Sequence, residues 1–234
     1  MISDSLDYLR TGEGWERTAL IGGLLAFFSF LLVPGFLVMG YLLRVLRATM
    51  HGDEADPPVF DDWTAMGVDG LKAFVISLVY GFVPGVVLAA AFAFGFAGLA
   101  SGSDAGALTG GLVLLVGGLV ALLLSLAAAY VVPAAILNYA ATDRLGAGFA
   151  VGELTPMLVD RTYMTAFAYA FVIALGVGVL SGLLNAVPLL GAIAAAFVGF
   201  YAGVMVAYIY GTSYAEMRTV ELQDDPVVDE RAAA

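Results

Sequence analysis

Long hydrophobic blocks separated by polar stretches dominate the chain. Runs of more than about 18 apolar residues are long enough to cross the ~30 Å hydrocarbon core of a bilayer as helices. The pattern therefore predicts an all-α membrane protein, a bundle of about five transmembrane helices. The predicted spans are residues 18–46, 71–100, 108–137, 165–186 and 189–214.

The first block, residues 18–46, is longer than one span needs and contains Pro34-Gly35. As a continuous helix it would measure about 43 Å at 1.5 Å per residue. We favour a single kinked helix whose last turns emerge at the membrane surface. The alternative is a hairpin that folds back at Pro34-Gly35 and raises the number of crossings to six.

Two polar connectors, residues 44–72 and 138–164, are expected to lie on one membrane surface. They belong to a transmembrane domain that covers residues 18–214, preceded by an interfacial segment at 1–17 and followed by an acidic tail at 215–234. Short loops rich in Arg and Lys stay in the cytoplasm. Both connectors and the C terminus are therefore predicted to be cytoplasmic.

The side of the N terminus depends on how the first block folds. Five crossings would place the N terminus outside, which sets Arg10 and Arg17 against the charge rule. Six crossings, with the hairpin, would bring every basic residue to the cytoplasmic side. The choice between kinked helix and hairpin thus decides the topology.

Composition agrees with the membrane class and sets limits on partners. Hydrophobic residues make up 62% of the chain and charged residues 12%, which leaves too few polar groups to cover a water-exposed globule. The 20 acidic and 9 basic residues give a net charge of −11, so a nucleic-acid partner is disfavoured. An acidic, lysine-poor exterior fits a protein bathed in high salt, and the alternative is an ordinary acidic membrane protein.

The connector at 44–72 carries the residues best suited to contact lipid headgroups or a partner. Asp61 or Asp62 can cap a short interfacial helix whose apolar side includes Phe60 and Trp63. Docking of a partner protein is the alternative role for that surface. The candidate contact residues are Arg44, Arg47, Phe60, Asp61, Asp62, Trp63 and Lys72.

Arg44 and Arg47 follow the first block and are interpreted as anchors at the cytoplasmic interface. Contact with anionic headgroups, or pairing with the connector aspartates, is the alternative. Lys72 lies three residues after Asp69 and is spaced to pair with it along a helix.

Residues 51–56 combine one imidazole with three carboxylates. The segment lacks the ligand spacing of a calcium loop and the paired histidines of a zinc site, so we interpret it as a solvated acidic loop. The chain has no cysteine, no nucleophile–base pair and no phosphate or dinucleotide motif. We therefore predict no catalytic residue, no metal site and no cofactor.

Small residues recur every four positions in the fifth block and give that helix a face that a neighbouring backbone can approach closely. The third block repeats the pattern. We predict that these two helices form the interior of the bundle in mutual contact; the alternative is a face that joins two copies in a homodimer. The small residues are Gly191, Ala195, Gly199, Gly203, Ala207 and Gly211 in the fifth block and Gly117, Ala121, Ser125 and Ala129 in the third.

A weak internal repeat relates the two halves of the chain. Each half places a proline, a tyrosine and an arginine around the start of its connector. Two spans per unit would make the repeats parallel in the membrane, an arrangement found in transporters. The corresponding residues are Pro34, Tyr41 and Arg44 in the first half and Pro133, Tyr139 and Arg144 in the second.

Several motifs are distinctive. They are G-Y-L-L-R-V-L-R-A at 40–48, P-P-V-F-D-D-W at 57–63, D-G-L-K-A-F-V-I-S-L-V-Y at 69–80, P-L-L-G at 188–191 and F-V-G-F-Y at 197–201. Together they resemble a family of haloarchaeal membrane proteins known only as a domain of unknown function. More remotely, the arrangement is similar to the membrane domain of some glycerophosphodiester phosphodiesterases. The resemblance implies a cytoplasmic membrane, a high-salt lineage and no established activity, and it supplies no catalytic residues.

Three functions are compatible with the sequence. We favour a non-catalytic membrane module, acting as a scaffold, accessory subunit or lipid-organising protein. A transporter or permease-like protein is the alternative, and it would show a polar-lined cavity near the midplane beside Pro34, Pro84 or Pro133. A lipid-modifying enzyme would need a cleft that gathers Arg44 and His51 with a connector aspartate.

Overall fold

The structure, a computed structural model, describes residues 2–12, 14–52 and 56–224. In these ranges the chain forms α-helices and two short 3₁₀ helices, and no strand. The α-helices are α1 Ile2–Thr11, α2 Trp15–Phe27, α3 Val33–Met50, α4 Trp63–Leu99, α5 Asp104–Thr142, α6 Val151–Val159, α7 Arg161–Leu184 and α8 Leu190–Asp224.

Five of these helices, α3, α4, α5, α7 and α8, are long and apolar enough to cross a membrane. Their length follows from the hydrophobic runs, which need about 20 residues to match the hydrocarbon thickness. The predicted all-helical class and the predicted number of such helices are confirmed.

The first hydrophobic block folds back on itself, so the single kinked helix predicted for residues 18–46 is wrong. A 3₁₀ turn at Phe28–Leu31 separates α2 from α3. Both helices contact the same side chain: a Cβ at Gly22 in α2 would overlap the Phe200 ring, and the Tyr41 ring in α3 lies 5.5 Å from it. One straight helix would hold those two positions about 28 Å apart.

The chain reverses before Pro34-Gly35. The hairpin alternative had located the reversal at Pro34-Gly35 itself. Leu32 has a φ of 65°, in the left-handed region, and its amide donates to the Ser29 carbonyl at 3.0 Å. Pro34 lies in the first turn of α3, where a proline removes no intrahelical hydrogen bond. The proline therefore starts a helix here and does not kink one.

The hairpin brings the N-terminal helix to the end of the molecule that holds the first connector. A Cβ at Gly12 would lie 3.1 Å from the Pro57 Cδ. The Tyr201 hydroxyl of α8 donates to the Leu6 carbonyl in α1. We call this end, where α1, both connectors and the second half of α8 lie, the polar end.

Both α4 and α5 continue through their prolines. Pro84 lies inside α4 and Pro133 inside α5, and neither proline ends its helix. A membrane helix tolerates an internal proline because neighbouring groups satisfy the freed carbonyl.

The separate interfacial helix predicted in the first connector is also absent from the described residues. α4 begins at Trp63, eight residues before the predicted span, so the connector aromatic residues lead directly into a long helix. The Asp62 side chain accepts from the Ala65 amide at 3.0 Å and caps α4 as the sequence predicted.

The ridge of small residues on α8 packs mainly against α3 and α7, and not against α5. A Cβ at Gly203 would lie 3.0 Å from the Leu42 side chain, and one at Gly211 2.8 Å from the Leu46 carbonyl. Gly199 is exposed with no neighbour within 4 Å of a built Cβ. The predicted α5–α8 contact is therefore wrong over most of its length.

The third block finds its partner in α4. A Cβ at Gly98 would lie 2.7 Å from the Gly110 Cα, and Gly117 faces Ala91. Ala129, part of the predicted ridge on α5, is exposed. A four-residue spacing of small side chains predicts close approach but does not identify which helix approaches.

The buried core lies toward the polar end. Its largest fully buried side chains include Tyr41, Met66, Tyr139 and Tyr163. By contrast, only 6% of the residues in the most apolar stretch of α5 are buried. In the most apolar stretch of α7 the buried share is 0%. The far half of the molecule therefore presents hydrocarbon on nearly every side.

α8 continues beyond residue 214, where the transmembrane domain was predicted to end, as far as Asp224. The rest of the predicted acidic tail, residues 225–234, lies outside the described residues. So does the centre of the acidic loop at 51–56, and the described residues contain no group of three or more His, Cys, Asp or Glu side chains able to hold a metal.

Candidate functional site

A network of charged and aromatic side chains joins α3, α4 and α5 at the polar end. Arg47 donates to Asp69 at 2.5 Å and to Asp143 at 2.8 Å. The Tyr139 hydroxyl donates to the other oxygen of Asp69 at 2.9 Å, and the Lys72 ammonium lies 3.8 Å from that same oxygen. We call these five residues the polar network.

Tyr139 forms the floor of the polar network. Its side chain is fully buried, and the Arg47 guanidinium and Lys72 ammonium each lie 5.6 Å from its ring centroid. A cation over an aromatic face is attracted by the ring quadrupole. Two cations therefore share one ring while two carboxylates balance their charge, and three helices are held at a fixed spacing.

Arg44 holds the first connector to α3. Its guanidinium pairs with Asp61 and donates to the carbonyls of Val59 at 3.4 Å and Asp62 at 3.1 Å. The hydrogen bond from Arg44 lowers the pKa of Asp61 below its ordinary value. Arg44 therefore pairs with a connector aspartate, one of the roles considered for it; anchoring at the interface and contact with headgroups stay predictions.

The connector aromatic residues divide between core and surface. The Phe60 ring stacks on the buried Tyr41 ring, with centroids 4.3 Å apart and an interplanar angle of 9°. The Trp63 and Phe60 ring centroids are 5.7 Å apart. Trp63 keeps 44% of its surface exposed. Phe60 therefore packs inward, and Trp63 is the one of the two that faces outward at the start of α4.

Side chains from α4 and α5 bind the backbone of the second connector, which the sequence analysis missed. The Asn138 amide donates to the Ala147 carbonyl at 2.9 Å and to Glu153 at 2.8 Å. The Tyr80 hydroxyl donates to the Gly148 carbonyl at 2.9 Å. Asn138 is buried and directly follows the apolar block at 108–137; an amide at that position is the signal that could have marked it.

A cavity of about 210 Å³ lies among α3, α4, α5 and α8, next to the polar network. Ile136 lines it and lies three residues before Tyr139 on α5. The wall is almost entirely hydrocarbon, including that beside Pro133, where a transporter would have a polar cavity. The lining residues are Met39, Leu42, Leu43, Leu46, Ala73, Pro133, Ile136, Leu137, Gly203, Val206, Ala207 and Tyr210.

The cleft expected of an enzyme is assembled only in part. Arg44 and Asp61 are paired, whereas His51 is exposed and its Nδ1 lies 2.6 Å from the Arg47 carbonyl on its own helix. The imidazole is thus engaged by backbone at the end of α3.

Comparison with known proteins gave one match. A family model described as a protein of unknown function (DUF4013) matches residues 25–186, which is more than half of the chain and includes the whole polar network. No curated protein and no solved structure matches the chain.

Proposed function

The chain belongs to the DUF4013 family of proteins of unknown function, and from this premise we propose that it is an integral membrane protein acting as a non-catalytic module. It works through contacts with lipids and with other membrane proteins, and it neither turns over a substrate nor moves a polar solute. One observation carries the proposal: a charge-balanced network lies against a cavity lined by hydrocarbon.

The polar end supports a structural role. Two cations oppose two carboxylates in the polar network, and Arg44 is engaged by Asp61 and two backbone carbonyls. General acid–base catalysis needs a group that can exchange a proton with a substrate in a cleft. Arg44, Arg47 and Asp69 are engaged by partners within the protein and tie helices together.

The cavity supports the same conclusion against transport. A transporter exposes polar backbone or side chains to a water-filled site near the midplane. Beside Pro133 the cavity wall is apolar, and α5 stays helical through this proline. A hydrated solute would find no replacement for its water along this surface.

We place the polar end in the cytoplasm, because basic residues accumulate there. Arg10 and Arg17 share that end with Arg44 and Arg47, which removes the charge conflict of a five-crossing topology. Since α1 and the second half of α8 lie at the same end, the chain crosses the bilayer an even number of times.

The α2–α3 hairpin is then re-entrant, entering and leaving the membrane from the polar end. Its tip is apolar, with Phe30 72%, Leu31 58%, Leu32 60% and Val33 64% exposed, so it belongs in hydrocarbon and not in external water. Backbone groups at the tip are paired: the Phe36 amide donates to the Leu32 carbonyl at 2.9 Å. A lipid-exposed turn requires such pairing.

Cysteine accessibility tests this topology, and the chain has no native cysteine to interfere. In sealed cells, a membrane-impermeant maleimide should label Ser101→Cys and leave Ser3→Cys, Asp56→Cys and Phe30→Cys unlabelled. Opening the membrane should expose positions 3 and 56 but not position 30. Labelling of Asp56→Cys in sealed cells would overturn the orientation, and labelling of Phe30→Cys would place the tip in water.

Affinity purification from native membranes with quantitative proteomics and lipid analysis tests the module itself. We expect a reproducible membrane-protein partner or a defined lipid class, and unchanged lipid composition when the pure protein is incubated in vesicles. If the wild-type protein turns over a lipid and this activity disappears in His51→Ala or Asp62→Asn, the protein is an enzyme and the module proposal is wrong.

We further propose that the protein works in high salt. The excess of 20 acidic over 9 basic residues supports this, since salt screens the repulsion among carboxylates. The melting temperature should rise between about 0.1 M and about 1 M KCl, where the screening length falls severalfold. The similarity to the membrane domain of glycerophosphodiester phosphodiesterases stays a prediction, and it would fit a module that serves a separate catalytic protein.

A further inference from the structure

We propose that the cavity among α3, α4, α5 and α8 binds a segment of one hydrocarbon chain of a bilayer lipid, whose anionic headgroup contacts Lys72. This deepens the proposed function, because it names the ligand class of a module that acts through lipid. It rests on the shape of the cavity, its opening and the charge beside it.

The size and chemistry of the cavity fit hydrocarbon. Its volume is about 210 Å³, whereas an apolar cavity of about 150 Å³ holds a benzene-sized molecule and stays dry. By that scale it takes about eight carbons, a segment of one lipid chain. Water needs two to four polar partners in such a space, and this wall offers almost none.

The cavity has a closed floor and an accessible rim. Leu43, Leu137 and Ala207 on the floor are at most 9% exposed. Met39, Ile136 and Val206 at the rim are only partly buried. Because α8 packs mainly on α2, α3 and α7 while α5 packs on α4, α5 and α8 leave a gap between them through which a chain can enter from the bilayer.

Lys72 is the charge placed to hold the headgroup. It is adjacent in sequence to Ala73, which lines the cavity, and its ammonium lies above the Tyr139 ring, one turn along α5 from Ile136. Arg47 is held by two short bonds to carboxylates, whereas Lys72 has one longer contact at 3.8 Å and a side chain that is 36% exposed. Lys72 therefore has donors left for a phosphate.

Photolabelling in lipid nanodiscs tests the site with the wild-type chain. The probe is phosphatidylglycerol with a diazirine in the middle of one acyl chain. We expect labels within residues 133–137 and 203–210, in addition to general labelling of the exposed faces. Labels confined to exposed side chains, such as Leu115, Leu119 and Leu123, would mean surrounding lipid only and would overturn the proposal.

A filled cavity supplies the matched comparison. Ala207→Leu occupies the space, and Ala129→Leu makes the same change at an exposed position on α5. Cavity labelling should fall about tenfold in Ala207→Leu, equivalent to about 1.4 kcal/mol of binding, and stay at the wild-type level in Ala129→Leu. Equal labelling of the two variants would contradict a specific site, whether or not Ala207→Leu loses some stability.

Lys72→Gln separates the headgroup from the chain. It should abolish the preference for phosphatidylglycerol over phosphatidylcholine while chain labelling persists. Crosslinks between two copies at these residues, rising with protein concentration, would assign the cavity to a second chain instead. Neither the Lys72→Gln result nor the crosslinking result changes the outcome of the partner purification. The lipid-site proposal and the module proposal can therefore fail independently.

Discussion

The two connectors join helix pairs that are packed in opposite ways. Before and after the first connector, α3 and α4 touch along their backbones: a Cβ at Gly40 would lie 2.6 Å from the Met66 carbonyl carbon, and one at Gly70 2.7 Å from that of Phe36. Around the second connector, α5 and α7 meet through tyrosine side chains, with the Tyr163 hydroxyl donating to the Tyr130 carbonyl at 2.5 Å.

The difference shows that a similar order of helix, connector and helix does not dictate one packing. Glycines on facing helices remove the side chains that would separate two backbones. Large rings at the corresponding contact keep the second pair apart, and the Tyr130 hydroxyl then binds the connector at the Leu158 carbonyl, 2.5 Å away. The α3–α4 pair has direct backbone contact, whereas the α5–α7 pair is joined through tyrosine hydrogen bonds.

The largest expected effect comes from adding one methyl group between α3 and α4. Gly70→Ala must push the helices apart and should cost about 3 kcal/mol of the free energy of unfolding. Gly81→Ala on the same helix has no atom within 4 Å of the new carbon and should change it by less than about 0.5 kcal/mol. Unfolding in mixed detergent micelles measures both, and equal stability would refute close backbone contact.

The polar network should matter more than the polar contacts of the second connector. Asp69→Asn weakens charge-assisted bonds to Arg47 and should cost about 2 kcal/mol. Glu153→Gln removes a charge that is half exposed and should cost less than about 1 kcal/mol. A double-mutant cycle with Arg47→Gln should show coupling to Asp69; additive effects would mean that the pair contributes nothing jointly.

The hydroxyls of Tyr130 and Tyr80 should stabilise the second connector. Tyr130→Phe and Tyr80→Phe each remove a bond to a connector carbonyl and should cost about 1 kcal/mol. Hydrogen exchange should then speed up at residues 145–159 and remain unchanged in α3. Faster exchange throughout the chain would show that the two halves are not independently secured.

The smallest expected effect is a pH dependence of the first connector. The Arg44 hydrogen bond depresses the pKa of Asp61, so the contribution to stability is present above the unfolded-state pKa of about 3.9 and is lost as pH falls through the lower folded-state value. The melting temperature of the wild type should exceed that of Asp61→Asn at about pH 5. The difference between the two melting temperatures should shrink toward about pH 2. A gap that widens on acidification would have the wrong sign.

The number of helices long and apolar enough to span a membrane could be predicted from the sequence, because run length sets it. The hairpin could not be located that way: its turn is F-S-F-L-L at 28–32, apolar residues without a turn signal, while Pro34 drew attention to the wrong place. Arg10 and Arg17 did carry the information, since their charge conflict disappears once the block folds back.

The site was harder to predict, because its partners are distant in sequence. Arg47 and Asp143 are 96 residues apart, and neither has a local pattern that names the other. The pairing of Asp69 with Lys72 was visible because it follows helical spacing. The spacing of small residues on α8 correctly predicted a close helix contact but did not identify the neighbouring helix. Only the assembled structure identifies that helix.

A hairpin that enters from one side and turns back has a consequence for the shape of the bilayer. In the orientation that we propose, α1, α2 and α3 would take up area in the leaflet at the polar end without an equal displacement in the opposite one, which would give the molecule a wedge-shaped cross-section. Many copies gathered together would favour membrane that bends around the narrower outer side. Curvature preference would then follow from the reversal at Leu32, without any enzymatic step.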